Sequence, residues 1–238
     1  MKRFLPLVLI SLSASCGVLM PAAIAAEAPK HLVYLDPAKF VPSQILPSPA
    51  APGSPAEAFE LETLHRLIAG GSPARMAQAK EDSDNETPSL FNKVLGFDLK
   101  DRPATWKLLE LVQSEADIAA GDSKVFFHRM RPYSADPGIP FCERKADPAK
   151  PEYRGYPSGH ATLGYSTGWV LAHLMPAKAD MILARAQDYA LSRQYCGAHY
   201  ASDTEASHVI GTLVGIDLMA DPRLAAMVAA ARTELAKP

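Results

Sequence analysis

Two histidines, three strong cations and one acid in the second half of the chain have the types and spacing to handle a group that carries several negative oxygens. His199 and Asp203 stand four apart. That spacing lets the carboxylate accept a hydrogen bond from one ring nitrogen and leaves the other bare for attack. His160 closes the run Pro157-Ser158-Gly159-His160, ahead of the helix-compatible Ala161-Thr162-Leu163. A Ser-Gly turn entering a helix offers free backbone N–H groups and the positive dipole end to an anion. Gly159 lets the backbone approach the bound group, and an imidazole at that point can hand a proton to a leaving oxygen. Lys124 and Arg131 are seven apart and are followed by Pro132. On one helix they would share a face two turns apart, with the proline driving the chain out of the helix. Arg193, preceded by Ser192, stands six residues before His199.

Taken singly, each segment has a plainer reading. Lys124 and Arg131 could form a solvated basic face, and Gly159-His160 an ordinary turn. Ser202-Asp203-Thr204-Glu205 resembles a capping box, so Asp203 could serve a helix N-terminus. Arg193 could be a structural ion-pair partner. His128 and His173 read as packing or surface residues, while Tyr156 and Tyr195 flank the motifs and could line a pocket.

The elements that must position these groups read as helices. Ser54-Pro55-Ala56-Glu57 is a capping box with proline at the first helical position, and Gly70-Gly71 ends that helix. Ser72-Pro73 begins another, a third covers about 89–95, and Trp106, Leu108, Leu109, Leu111 and Val112 form an apolar stripe after Pro103. Further helices are expected at about 160–174, 178–195, 203–219 and 222–236. No stretch shows sustained period-two alternation. The expectation is an all-α, single-domain helical bundle over 54–238, preceded by a Pro-rich arm at 27–53 that lies across the domain or a partner subunit.

Residues 1–26 read as a secretory signal peptide: Lys2 and Arg3, an apolar run from Phe4 to Met20, and the small-x-small Ala23-Ile24-Ala25 ahead of Glu27. A retained membrane anchor fits less well, because Pro6 and Pro21 interrupt the stretch. Ser13 stands where a lipoprotein signal at Cys16 needs an aliphatic residue. Removing these 26 residues moves the formal net charge from −2 to −4, which argues against general affinity for nucleic acid or anionic membrane. No later segment is apolar for long enough to span a bilayer, so no stable membrane insertion is expected after cleavage. The expected location is periplasmic or secreted. In that oxidising setting Cys142 and Cys196 are a candidate disulfide, with two separate buried thiols as the alternative.

Together the segments read Lys-x6-Arg-Pro, Pro-Ser-Gly-His and Ser-Arg-x5-His-x3-Asp, with gaps of 24 residues (133–156) and 31 residues (161–191). This pattern resembles the type 2 phosphatidic acid phosphatase superfamily and, within it, the bacterial class A non-specific acid phosphatases. Arg154, Gly155 and Ala161 depart from the class A reading Gly-Ser-Tyr-Pro-Ser-Gly-His-Thr, and His208 stands where the family often has arginine. The resemblance implies a bundle of that superfamily's kind and a metal-independent acid phosphatase, with no cofactor, acting on small-molecule phosphate monoesters. It implies His199 as nucleophile, Asp203 as its orienting acid and His160 as proton donor. Lys124, Arg131, Ser158, Gly159, His160 and Arg193 would hold phosphate. Phosphotransfer to alcohols and a homodimer are further implications. A vanadium haloperoxidase or a lipid phosphatase would use the same pocket.

Overall fold

The computed structural model describes residues 31–143, 147 and 149–236; the expected leader at 1–26 lies outside them. The described residues form helices and turns with no strand: α1 Pro42–Ile45, α2 Pro55–Ala69, α3 Pro73–Ser83, α4 Asn92–Leu95, α5 Pro103–Phe127, α6 Pro132–Ala135, α7 Gly159–Leu174, α8 Ala179–Tyr195, α9 Ala201–Ala220 and α10 Ala225–Leu235. The all-α expectation holds. Pro55, Pro73 and Pro103 each stand at the start of their helix, where a backbone N–H has no helical acceptor. Ser54 and Ser72 cap α2 and α3 by accepting the N–H groups of Glu57 and Arg75, each at 3.2 Å.

Helix α7 is the axis of the bundle and packs against α5, α8 and α9. It is apolar or small on almost every side, which is the composition of a helix surrounded by others. Leu108, Leu109 and Val112 of α5, Val170 and Leu171 of α7, Ile182 and Tyr189 of α8, and Ile210 and Val214 of α9 form the core they share. The described part of the Pro-rich arm lies along this bundle. Glu115 of α5 accepts the N–H groups of Val33 and Leu35 at 2.9 and 3.1 Å, and Leu35, Phe40 and Leu46 are buried. No helix among the described residues is long and apolar enough to cross a membrane.

Two boundaries differ from the sequence expectation, and both bear on the site. Helix α5 stops at Phe127 because His128 turns left-handed (φ 48°), its N–H returning to the Lys124 carbonyl at 3.1 Å. Lys124 therefore lies on α5 while Arg131 lies on the extended segment after it, so the two do not share a helix face. Helix α9 begins at Ala201, which places Asp203 in its first turn.

Candidate active site

The segment 129–131 runs beside 152–155, with the Arg131 N–H on the Glu152 carbonyl at 2.8 Å and the Gly155 N–H on the Arg129 carbonyl at 2.9 Å. Residues i and i+2 of an extended segment point to the same side. Arg129 and Arg131 accordingly both reach the junction of α8 and α9, where His199 and Asp203 lie.

His199 is buried. Its Nδ1 lies 2.8 Å from the Gly155 carbonyl oxygen and 3.3 Å from Asp203 Oδ2. A carbonyl only accepts, so Nδ1 carries the proton and Nε2 is bare. Nε2 lies 3.2 Å from the Arg131 guanidinium. Burial, with the charges of Arg131, Arg193 and Lys124, pushes the His199 pKa well below its ordinary value, so the ring is neutral far into the acid range.

Asp203 does less of the orienting than the four-residue spacing suggests, because the Gly155 carbonyl is the nearer acceptor. Its carboxylate instead takes the Tyr200 N–H at 2.9 Å and a guanidinium nitrogen of Arg129 at 2.6 Å. Both readings of Asp203, histidine partner and helix N-terminal acceptor, meet in one side chain. Arg129 is a residue the motif reading missed. It also bonds Ser202 at 2.7 Å and Glu60 of α2 at 2.5 Å, and lies over the Tyr200 ring at 3.9 Å. Burial opposes the charge on Arg129, but Asp203 and Glu60 outweigh it and hold its pKa up. Burial pushes the Asp203 carboxyl up to about 7 against the pull of Arg129.

At the start of α7, Ser158 caps the helix by accepting the Ala161 N–H at 3.3 Å, which leaves its own O–H to donate elsewhere. The N–H groups of Gly159 and His160 open the helix and have no acceptor within it. Lys124 comes so close to Gly159 that an added Cβ would sit 2.7 Å from its Nζ. Burial, with the like charges of Arg131 and Arg154, lowers the Lys124 pKa to about 8. Burial likewise lowers that of Arg131, with Arg193 adding to it.

Arg193 at the end of α8 is buried. One of its nitrogens bonds Glu143, while Nε and Nη1 are buried without a hydrogen-bond acceptor among the described residues. Unpaired buried guanidinium donors facing a cluster of cations are what an oxyanion with several acceptor atoms would satisfy. Ser192 does not join them; it takes the Arg75 guanidinium at 2.9 Å and donates to Asp82. His160 has acceptors on both nitrogens, the Ser83 carbonyl at 3.1 Å from Nε2 and Glu86 at 2.9 Å from Nδ1. The bond from His160 holds the Glu86 carboxyl below its usual range, so an acceptor stands beside each ring nitrogen.

The structure thus brings Lys124, Arg131, Arg193, His199 and the start of α7 with His160 to one place. Tyr156 and Tyr195 lie outside it. Tyr156 packs on Phe127 and donates to the Pro47 carbonyl at 2.9 Å, and Tyr195 lies under Arg75. His128 stacks on Tyr153 and His173 on Trp169. Cys142 and Cys196 form a disulfide, beside which Gly197 (φ 71°) turns where any Cβ would strike the Pro140 carbonyl. Among the described residues no group of three or more His, Cys, Asp or Glu is arranged to hold a metal ion. An apolar groove of about 650 Å³, lined by Pro47, Phe59, Tyr156 and Val209 among others, touches Glu60 and Ser202 but none of the three cations.

Comparisons with known proteins agree on one family. The model of the PAP2 superfamily matches residues 106–227. A non-specific acid phosphatase of Providencia stuartii is 30% identical over 169 residues, which is 68% of each chain. One of Salmonella typhimurium is 29% identical over 209 residues, 85% of this chain and 83% of its own. An acid phosphatase of Zymomonas mobilis is 30% identical over 176 residues, 72% of this chain and 66% of its own. Among solved structures, the crystal structure of Aquifex aeolicus LpxE superposes with a TM-score of 0.53 at 20% identity, covering 66% of this chain and 92% of that one; at this identity the likeness is one of fold.

Proposed function

The chain belongs to the PAP2 superfamily, and on that premise we propose that it is an acid phosphatase that hydrolyses phosphate monoesters of broad range through a phosphohistidine, outside the cytoplasm. The observation that carries the reading is the bare Nε2 of a buried, neutral His199 set among Lys124, Arg131 and Arg193. An ordinary imidazole would be protonated, and useless as a nucleophile, at the pH where this one keeps its lone pair. The resemblance to acid phosphatases of three bacteria supports the same reading.

In the proposed reaction Nε2 of His199 attacks phosphorus while the bond to the leaving oxygen breaks. The Gly155 carbonyl takes part of the positive charge that develops on the ring through Nδ1–H. His160 gives a proton to the leaving oxygen. It then takes a proton from the water that attacks the phosphohistidine, releasing phosphate and restoring Nε2. Lys124, Arg131, Arg193, the Ser158 hydroxyl and the N–H groups of Gly159 and His160 neutralise the three equatorial oxygens, the work a metal does in many phosphoryl-transfer enzymes. An alcohol that reaches the phosphohistidine before water would accept the group instead, giving phosphotransfer. Asp203 keeps His199 in register from the first turn of α9, and Arg129 offsets part of the burial that disfavours its charged form.

His199→Ala should abolish turnover of p-nitrophenyl phosphate at pH 5 to 6, and rapid quenching of the wild type with a labelled ester should trap acid-labile, base-stable phosphate on the chain. Near-wild-type turnover by His199→Ala would reject the nucleophile. Full activity after exhaustive chelation is expected; loss restored by zinc or magnesium would reject the metal-free scheme.

A further inference from the structure

His160 is held between two unlike acceptors. The Ser83 carbonyl, on Nε2, belongs to a buried residue at the end of α3. Glu86, on Nδ1, is 59% exposed and feels the charges of Arg193 and Lys124. The interior thus lies on the Nε2 side of the ring, and the solvent side with its cations lies on the Nδ1 side. A substrate that takes its proton from His160 takes it from Nδ1, at the place the Glu86 carboxylate now occupies. The body of the leaving group must then pass beside Glu86, because the phosphoryl group itself is committed to the cations and the start of α7.

We propose that Glu86 makes the site sort substrates by the charge on the leaving group, favouring phosphate monoesters of neutral or cationic alcohols over those whose alcohol carries a second anion. The inference rests on His160 as the proton donor in the function proposed above and names the substrate class for that site. Other charges near this edge do not cancel Glu86. Lys124 and Arg193 face the phosphoryl group, Glu143 is paired with Arg193, and exposed Arg154 acts on Lys124. Held in its charged form by His160, Glu86 would exert this preference at the acid pH where the enzyme is expected to work. A cationic alcohol would gain a partner for its ammonium as it displaces the carboxylate from Nδ1, whereas an anionic one would meet like charge at the same step.

The test compares kcat/KM for phosphoethanolamine and 2-phosphoglycolate, two small esters of opposite leaving-group charge, in the wild type, Glu86→Gln and Glu86→Lys. A unit charge roughly 6–8 Å from the substrate charge at a protein surface should change the ratio of the two by about fivefold to tenfold. The ratio should fall by that factor in Glu86→Gln and further in Glu86→Lys, and about 0.5 M salt should shrink the wild-type preference. Any general damage to His160 affects both esters and cancels in the ratio. A ratio that moves less than about twofold in both variants, or a wild type that prefers phosphoglycolate, overturns the inference while leaving the phosphatase reading intact. A wild type that hydrolyses neither these esters nor p-nitrophenyl phosphate overturns the phosphatase reading, and the inference with it.

Discussion

His199 and His160 are the same side chain in unlike surroundings, and the two halves of the site differ accordingly. His199 is 1% exposed, faces three cations and has one carbonyl on Nδ1; desolvation and like charge strip it of its second proton. His160 sits at the edge of the same cluster with an acceptor on each nitrogen. An acid and a base for one reaction need unlike environments, and here the back of the site supplies burial while the front supplies acceptors. The back is therefore coupled to stability, and the front to substrate.

Breaking the back should give the largest effect. Arg129→Met would leave Asp203 and Glu60 with uncompensated charge in the interior, a change that costs about 3–5 kcal/mol when a buried pair loses one partner. A fall in thermal midpoint on the order of 10 °C should follow, together with loss of turnover. Adding Asp203→Asn to Arg129→Met should recover part of the stability and none of the activity. An Arg129→Met protein that melts with the wild type would mean that the back of the site is not held by this network.

Touching the front should separate activity from stability. An alanine at Gly159 would place a Cβ 2.7 Å from Lys124 Nζ, the free end of a flexible side chain that can swing away. Gly159→Ala should melt within about 2 °C of the wild type, since a first-turn alanine suits a helix. It should still lose roughly tenfold to a hundredfold in kcat/KM, because displacing a phosphate-holding group by about 1 Å costs that much. Equal losses in melting and turnover would blur the distinction between the two halves.

The same division marks what the sequence made legible. Helix starts were readable because proline and serine act within a few residues, and the three motifs because their spacing is local. What escaped is long-range pairing. Arg129 lies two residues before Arg131, inside the first motif, yet its partners Glu60 and Asp203 are 69 and 74 residues away. The period-two rule applied after His128 would have put Arg129 on the same side as Arg131, but only if the end of α5 had been placed at Phe127 instead of at Pro132. Glu86 gives no signal at all in sequence, since it belongs to a turn after α3 that meets His160 only once the chain has folded, with Pro88–Phe91 packed on α7. Gly155 escaped for another reason. It departs from the class A pattern in its side chain, whereas its contribution here is a backbone carbonyl, which any residue type carries.

The smallest expected effect lies in the cation between the two halves. Lys124 is lowered to about 8 by burial, Arg131 and Arg154, so its ammonium is present below that pH and lost above it. Sulfate is a suitable probe because its own charge stays constant over this range. Its competitive inhibition constant should be flat from pH 6 to 7.5 and then rise toward a limit of tenfold per pH unit, by about tenfold at pH 9 if one proton on Lys124 controls binding. Arginine stays charged throughout, so Lys124→Arg should remove the break near pH 8 even if it weakens sulfate binding at every pH through poorer fit. A wild-type profile flat to pH 9 would place the loss of charge elsewhere and make Lys124 a permanent cation.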